Sequence, residues 1–146
     1  TSNAATNYLE RRLLNFLFKN NAAISGVTFA SPGDSIYVGL ATAVATAETG
    51  SLTEASYTNY ARQQVAASAW TTIGADSTDT QTAKNTNNIE YSASGTDGTS
   101  TITHVFIADA VSSGNILFVG ALDASKAIAE GDIFRINATN LTIELK

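Results

Sequence analysis

Neither cysteine nor methionine occurs among the 146 residues. No disulfide, thiol nucleophile or thiolate-bound metal can be built from such a chain. The missing cysteine leaves the redox compartment open, because a chain without it suits either. Histidine, tryptophan and proline occur once each. Charged residues make up only 14% of the chain, against about 25% in an ordinary globular domain. The formal net charge is -5, and the only adjacent basic pair, Arg11-Arg12, has Glu10 beside it. With no Lys/Arg stripe to displace counterions from a phosphate backbone, nucleic acid is excluded as a partner. No apolar run approaches the ~20 residues that span a bilayer. The first residues lack the basic-then-apolar order of a secretory signal. Neither a membrane nor a leader is therefore expected.

Thr, Ser, Asn and Ala take the positions that charge leaves vacant, a surface suited to packing against other protein. The last third shows the clearest order. Residues 101–109, 116–122, 133–136 and 141–145 are short runs rich in Ile, Val, Phe and Thr, each bounded by Gly, Asn, Asp or Ser. That is the pattern of successive strands joined by tight turns. In the final run Leu141, Ile143 and Leu145 alternate with Thr142, Glu144 and Lys146, which gives one buried and one wet face.

Upstream, Asn7 followed by Glu10 has the form of a capping box, with Leu9, Leu13, Phe16 and Leu17 on one helical face behind it. Leu14 and Phe18 widen that stripe, so a helix over 7–20 is predicted. Its apolar residues Tyr8, Leu9, Leu13, Leu14, Phe16, Leu17 and Phe18 are candidates for an interface with another subunit. Ser31-Pro32-Gly33-Asp34 reads as a turn. Ile36, Val38 and Leu40 read as a strand whose Gly39 marks a bulge or a close backbone approach. Residues 44–56 and 74–88 read as exposed loops. Val65, Ala67 and Ala69 suggest a strand ending at Trp70, and Ile89 with Tyr91 a shorter one. At this length one domain covering 1–146 is expected, burying roughly 70% of the unfolded surface.

The inventory for chemistry is thin. His104 lies in a strand between Ile102 and Phe106, on their face by period 2, as core or interface histidines do. A triad would need it as base, and no Gly-x-Ser-x-Gly element accompanies it. The acids Glu48, Glu54, Asp76, Asp79, Asp97, Asp109 and Asp132 sit in turn-like or solvated contexts. Asp76 to Asp79 and Glu130-Gly131-Asp132 lack the ligand spacing of a calcium loop. Asn137 to Thr139 and Asn140 to Thr142 are formal glycosylation acceptors, and they equally fill a hairpin turn. No enzymatic activity, cofactor or metal is expected. Tyr57, Tyr60 and Trp70 lie close in sequence beside a polar stretch; exposed, they could stack on a glycan, and buried, they fill the core or an interface.

Several phrases carry a family likeness: NYLERRLLNFLF at 7–18, IYVGLATA at 36–43, YARQ at 60–63, THVFIADA at 103–110, GNILFVGAL at 114–122, EGDIFRI at 130–136 and the LTIEL ending. Together they resemble a family of small tailed-phage virion proteins of tail-fibre-like or minor capsid, decoration or cement type. The resemblance runs in order over most of the chain and is weakest at 44–56 and 74–100. It implies a cysteine-free structural subunit located in the virion, on the capsid surface rather than the tail, and assembled in the host cytoplasm. It also implies partners in the major capsid protein or other virion proteins, and a homo-oligomer, with a trimer favoured.

The expected fold is mainly β, a two-sheet antiparallel sandwich of jelly-roll type with one N-terminal helix. The expected function is capsid cement, with a glycan-binding fibre module as the alternative. Exposed aromatics on a distal tip would favour the fibre module, and buried aromatics with an apolar patch near the helix the cement subunit.

Overall fold

The computed structural model describes residues 4–9, 36–71, 81–95 and 100–145. Their order is set by a strand covered on both sides. In β7 (Ser100–Ala108) Val105, Phe106, Ile107 and Ala108 are all buried, so this run has no solvent face. Its neighbours are β2 (Ile36–Thr46) and β8 (Ile116–Ile128), both antiparallel to it. The short strands β1 (Ala4–Ala5), β3 (Ser51–Glu54) and β4 (Gln63–Val65) complete a six-stranded sheet, in which β1 pairs with β8 while β3 and β4 pair with β2.

Four short strands form a second layer. β5 (Gln81–Lys84) pairs with β10 (Thr142–Leu145), and β6 (Ile89–Glu90) pairs with β9 (Arg135–Ile136). Alternation fixes which side chains point inward: Ile89, Tyr91, Phe134 and Ile136 are buried, whereas Glu90 and Arg135 are exposed. They close on Val38, Leu40, Ile102, Val105 and Ile128 of the large sheet to form the main core. Burial of each such aliphatic side chain contributes about 1.5–3 kcal/mol. The opposite face of the large sheet carries a smaller cluster of Ala41, Phe106, Ala108 and Val119. The chain is thus mainly β and antiparallel, as its composition and period imply.

Between β5 and β6 the second layer is held by one buried amide. Asn85 is 1% exposed. Its Nδ2 donates to the carbonyls of Asn87 (2.8 Å) and Asn137 (2.9 Å), and its Oδ1 accepts from Leu141 N (2.9 Å). Its backbone N–H donates to Leu141 O at 3.3 Å, and its carbonyl accepts from Thr139 N at 2.7 Å. Every polar group of this residue is matched, as a buried amide requires. Replacing Asn85 with alanine strands two carbonyls and one N–H at about 1–3 kcal/mol each where they stay dry. A loss of about 3 kcal/mol or more in urea unfolding is expected for Asn85→Ala. A loss below about 1 kcal/mol would show that water takes over these bonds.

Elsewhere the expectations need correction in detail. The stretch 44–56 is largely a hairpin, in which β2 runs on to Thr46, turns through Ala47 to Gly50, and returns as β3. Within the other expected loop, 74–88, residues 81–84 form β5, and 72–80 lie outside the described residues. The strand expected to reach Trp70 stops at Val65, and Ala67–Ala69 forms a single 3-10 turn. Small residues there follow the tight turn, not a sheet face. The helix opens at Asn7, and its cap is Thr6, whose Oγ1 accepts from Leu9 N at 3.4 Å. Thr6 is chosen over Asn7 because its hydroxyl also donates to Ile116 O (2.9 Å) from a position 1% exposed. The rest of the predicted helix, 10–20, lies outside the described residues.

His104 does not share a face with Ile102. Between the pairs Ile102↔Lys126 and His104↔Ala121, β8 carries four residues against a single one of β7. Strict alternation along β7 fails at this register shift: Ile102 and Val105 both enter the main core, and Phe106 enters the smaller cluster.

Candidate functional site

The most elaborate constellation in the described residues surrounds Arg62, which is 8% exposed. It follows Tyr60 in the connection from β3 to β4, and Glu54 at the end of β3 faces both. The guanidinium grips Glu54 with two parallel bonds, Nε to Oε1 at 2.8 Å and Nη2 to Oε2 at 2.9 Å. Its Nη1 donates to the carbonyls of Ala110 (2.8 Å) and Ser113 (2.7 Å). The planar fork also lies over the Phe106 ring, 5.0 Å from its centroid, a favourable place for a cation. Arginine suits this position because its donors are fixed in one plane and it stays charged when buried. Hydrogen bonding to the Glu54 carboxylate raises the guanidinium pKa further, outweighing the desolvation that lowers it.

Arg62 thereby pins the loop that joins β7 to β8, residues 109–115. Asp109 secures the same loop from inside, accepting from Asn115 N through Oδ1 and from Asn115 Nδ2 through Oδ2, both at 2.7 Å. Ser113 and Gly114 take positive φ values of 53° and 71° to complete the turn. A side chain on Gly114 would fall 2.5 Å from Asp109 Oδ1, so this turn accepts only glycine. Val111, at the loop's tip, is 60% exposed.

Next to Arg62 runs a line of aromatic rings. Tyr57 meets Tyr60 edge to face with centroids 5.4 Å apart, Tyr60 stacks on Tyr91 at 6.0 Å, and Tyr91 meets Phe134 edge to face at 5.8 Å. The Tyr60 hydroxyl accepts from Leu40 N (2.9 Å) and donates to Glu54 Oε1 (2.8 Å), and that of Tyr91 donates to Val38 O (2.9 Å). The rings tie the two layers together. Tyr57 is 3% exposed, and Tyr60 and Trp70 are half-buried against the main core. None of the three is exposed.

Burial raises the phenol pKa values of Tyr57, Tyr60 and Tyr91. For Tyr60 the Leu40 N–H works against the shift, and the Glu54 carboxylate adds to it. The unfolded phenols ionise near pH 10, so above that pH the unfolded state holds fewer protons than the folded one. Stability is therefore whole below about pH 10 and falls as pH climbs toward the folded-state values, by up to three protons' worth of slope. In an alkaline titration the tyrosinate absorbance of these rings is expected to emerge together with loss of near-ultraviolet circular dichroism. The Tyr57 hydroxyl has no hydrogen-bond partner among the described residues. Tyr57→Phe should accordingly be neutral or stabilising at pH 7 and make the alkaline loss shallower. Ionisation of all three phenols in a still-folded protein would overturn this account.

The other residues singled out in the sequence have structural tasks where they are described. His104 is half-buried, and its Nδ1 lies 2.7 Å from Thr103 Oγ1. Asp132 Oδ2 accepts from Ala129 N at 2.9 Å and closes the turn at Gly131. Asn137 to Asn140 forms a turn, with Asn140 N donating to Asn137 O at 3.1 Å. Tyr8 and Leu9 are half-buried at the start of the helix. Leu13, Leu14, Phe16, Leu17, Phe18, Asp76, Asp79 and Asp97 lie outside the described residues. Among those described, no three His, Asp or Glu side chains gather as a metal site.

Sequence reasoning missed Arg62, Val111 and a cleft of about 600 Å³ beside the β8 bulge, lined in part by Leu122, Ile133 and Phe134. Ile133 is 50% exposed, the one outward apolar residue in the otherwise alternating run 133–136. That break in alternation was its only sequence signal.

A family model described as Podophage GP4 fiber I protein gp80 matches residues 4–144. A search of curated proteins gives no match.

Proposed function

The chain belongs to the podophage GP4 fiber I protein gp80 family, and on that premise we propose that it is a subunit of a fibre carried by the phage particle. Membership makes it a structural component of a tailed-phage virion. The observation that carries the finer reading is a match to a family described by a fibre, extending from residue 4 to residue 144. A scaffold role is supported by the use the chain makes of its polar side chains. Arg62, Asp109 and Asn85 hold backbone, Glu54 holds Arg62 and Tyr60, and the tyrosines brace the two layers.

The partners of such a subunit are other virion proteins, the major capsid protein among them, and further copies of itself in a trimer. Nucleic acid and membrane play no part. A cement subunit on the capsid surface is the second reading. The burial of Tyr57 favours it, since that ring is withheld from a glycan, and Tyr60 and Trp70 are half-buried against the core.

Gold-labelled antibody against the purified protein, viewed on intact particles by electron microscopy, separates the two. Label on projecting fibres supports the first reading, and label spread over the shell faces overturns it in favour of cement. Particles lacking the subunit give a second test. A fibre subunit's loss lowers adsorption to host cells with shell stability unchanged, whereas loss of cement lowers the temperature at which the shell releases its DNA.

A further inference from the structure

We propose that the cleft lined by residues of β8 and of the 133–137 run binds a short neutral oligosaccharide. This deepens the fibre reading and takes its setting from it, a particle that meets sugars at a cell surface. The cleft lies where β8 departs from its register with β7. Between the pairs Ile102↔Lys126 and His104↔Ala121, residues 122–125 stand against Thr103 alone. Departures of this kind re-aim side chains. Here Leu122, Asp123 and Lys126 line, together with Ile133, Arg135 and Asn137, a space of about 600 Å³. That volume falls within the ~300–1,000 Å³ of small-ligand sites.

The side chains gathered there are not used in folding. Charged residues make up 14% of the chain, yet three of the eight that line the cleft are charged, Asp123, Lys126 and Arg135. A chain sparing of charge has concentrated it at one hollow. Among the described residues no hydrogen bond or ion pair engages the side chains of Asp123, Lys126 or Asn137, and all three are exposed. Arg62 and Asn85, by contrast, are fully engaged within the fold. Ile133 is 50% exposed, whereas Phe134 and Ile136 of the same run are buried. Alone it would need no explanation, but it stands in the lining of this cleft.

Charge decides the class of ligand. Arg135 is held by Glu90 at 2.6 Å, which leaves one acid and one base, Asp123 and Lys126, and no net charge to hold an ionic ligand. What remains is a set of donors and acceptors beside aliphatic carbon. Asp123 accepts, Lys126 donates, and the Asn137 amide does both. A pyranose matches that set. Its hydroxyls donate and accept, neighbouring pairs of them reach one carboxylate or amide together, and its C–H face is apolar enough to rest on Ile133 and Leu122. Phe134 is 7% exposed and packs edge to face on Tyr91, so no aromatic ring is offered for stacking. Affinity then rests on the charge-assisted bonds of Asp123 and Lys126, the stronger kind.

The test uses the full chain, isotope-labelled for amide NMR and titrated up to tens of millimolar with maltotriose, cellotriose and N-acetyllactosamine. These cover gluco, galacto and N-acetyl configurations, and sialyllactose is the anionic comparison. At least one neutral sugar is expected to shift the amides of 122–126 and 133–137 saturably, with those of the 109–115 loop unmoved. D123A and K126A should each weaken that binding about tenfold or more, as the loss of a charged hydrogen bond does. Both side chains are exposed, so the fold should persist, which unchanged amide shifts in β2 and β7 report; D123N repeats the measurement should D123A fail to fold. No saturable shift from any neutral sugar, shifts confined to residues outside the cleft, binding that survives D123A and K126A combined, or sialyllactose bound tighter than every neutral sugar would each overturn the proposal. Gold label on fibres with no saturable shift sinks the cleft and leaves the fibre reading standing. Saturable binding with label only on shell faces does the reverse.

Discussion

Gly39→Ala is expected to lower the stability of the fold by about 3 kcal/mol or more. Gly39 is buried at the centre of β2 and stands opposite Phe106 of β7. A Cβ there would lie 2.2 Å from Phe106 Cζ and 2.6 and 2.7 Å from its two Cε atoms. Relief would require the ring to move, yet Phe106 is fully buried and Arg62 lies over it. Overpacking a well-filled core costs about 1–3 kcal/mol; with ring and backbone both fixed, about 3 kcal/mol or more is expected here. Against a total stability of about 5–15 kcal/mol that loss is severe. Gly131→Ala is the control. Its φ of 79° strains any side chain, but nothing lies within 4 Å of the added atom, so about 1 kcal/mol is expected. In the Gly39→Ala background, Phe106→Leu should recover part of the loss, because the smaller side chain removes the clash. Equal urea midpoints for Gly39→Ala and Gly131→Ala would refute the close approach.

Close approach at Gly39 is legible in the sequence, since glycine weakens a strand and stays there only with a reason. Its cause is not legible, because Phe106 is 67 positions away and only the β2–β7 register brings them together. The same limit applies widely. The runs at 101–109, 116–122 and 141–145 were readable as strands because composition and period agreed. The alternation that places His104 with Ile102 fails at a register shift between β7 and β8, which the sequence of β7 does not announce. Asn85 sits in a polar stretch that resembles a solvated loop, and it becomes a hub through Asn137, Thr139 and Leu141, all more than fifty residues on. Glu54 was placed on an exposed loop, which hid the carboxylate that lets Arg62 be buried. A lone charge among hydroxyl residues looks solvated until its partner is known.

Arg62 carries the last prediction. Removing one member of a buried pair costs about 3–5 kcal/mol, because the remaining groups lose their bonds without regaining full hydration. Arg62→Ala loses two bonds to Glu54, two to the carbonyls of Ala110 and Ser113, and the cation over Phe106. A loss of about 3–5 kcal/mol is expected, with Glu54 free to turn toward water since its side chain is already 31% exposed. Arg62→Lys keeps the charge but not the fork, and a single ammonium cannot meet Glu54 and both carbonyls at once. Its main consequence should be local. Hydrogen exchange at Asn115, whose N–H is bonded to Asp109, should speed up before the amides of β7 and β2 do. This separates loop pinning from core stability, since uniform acceleration would mean that Arg62 serves the core alone.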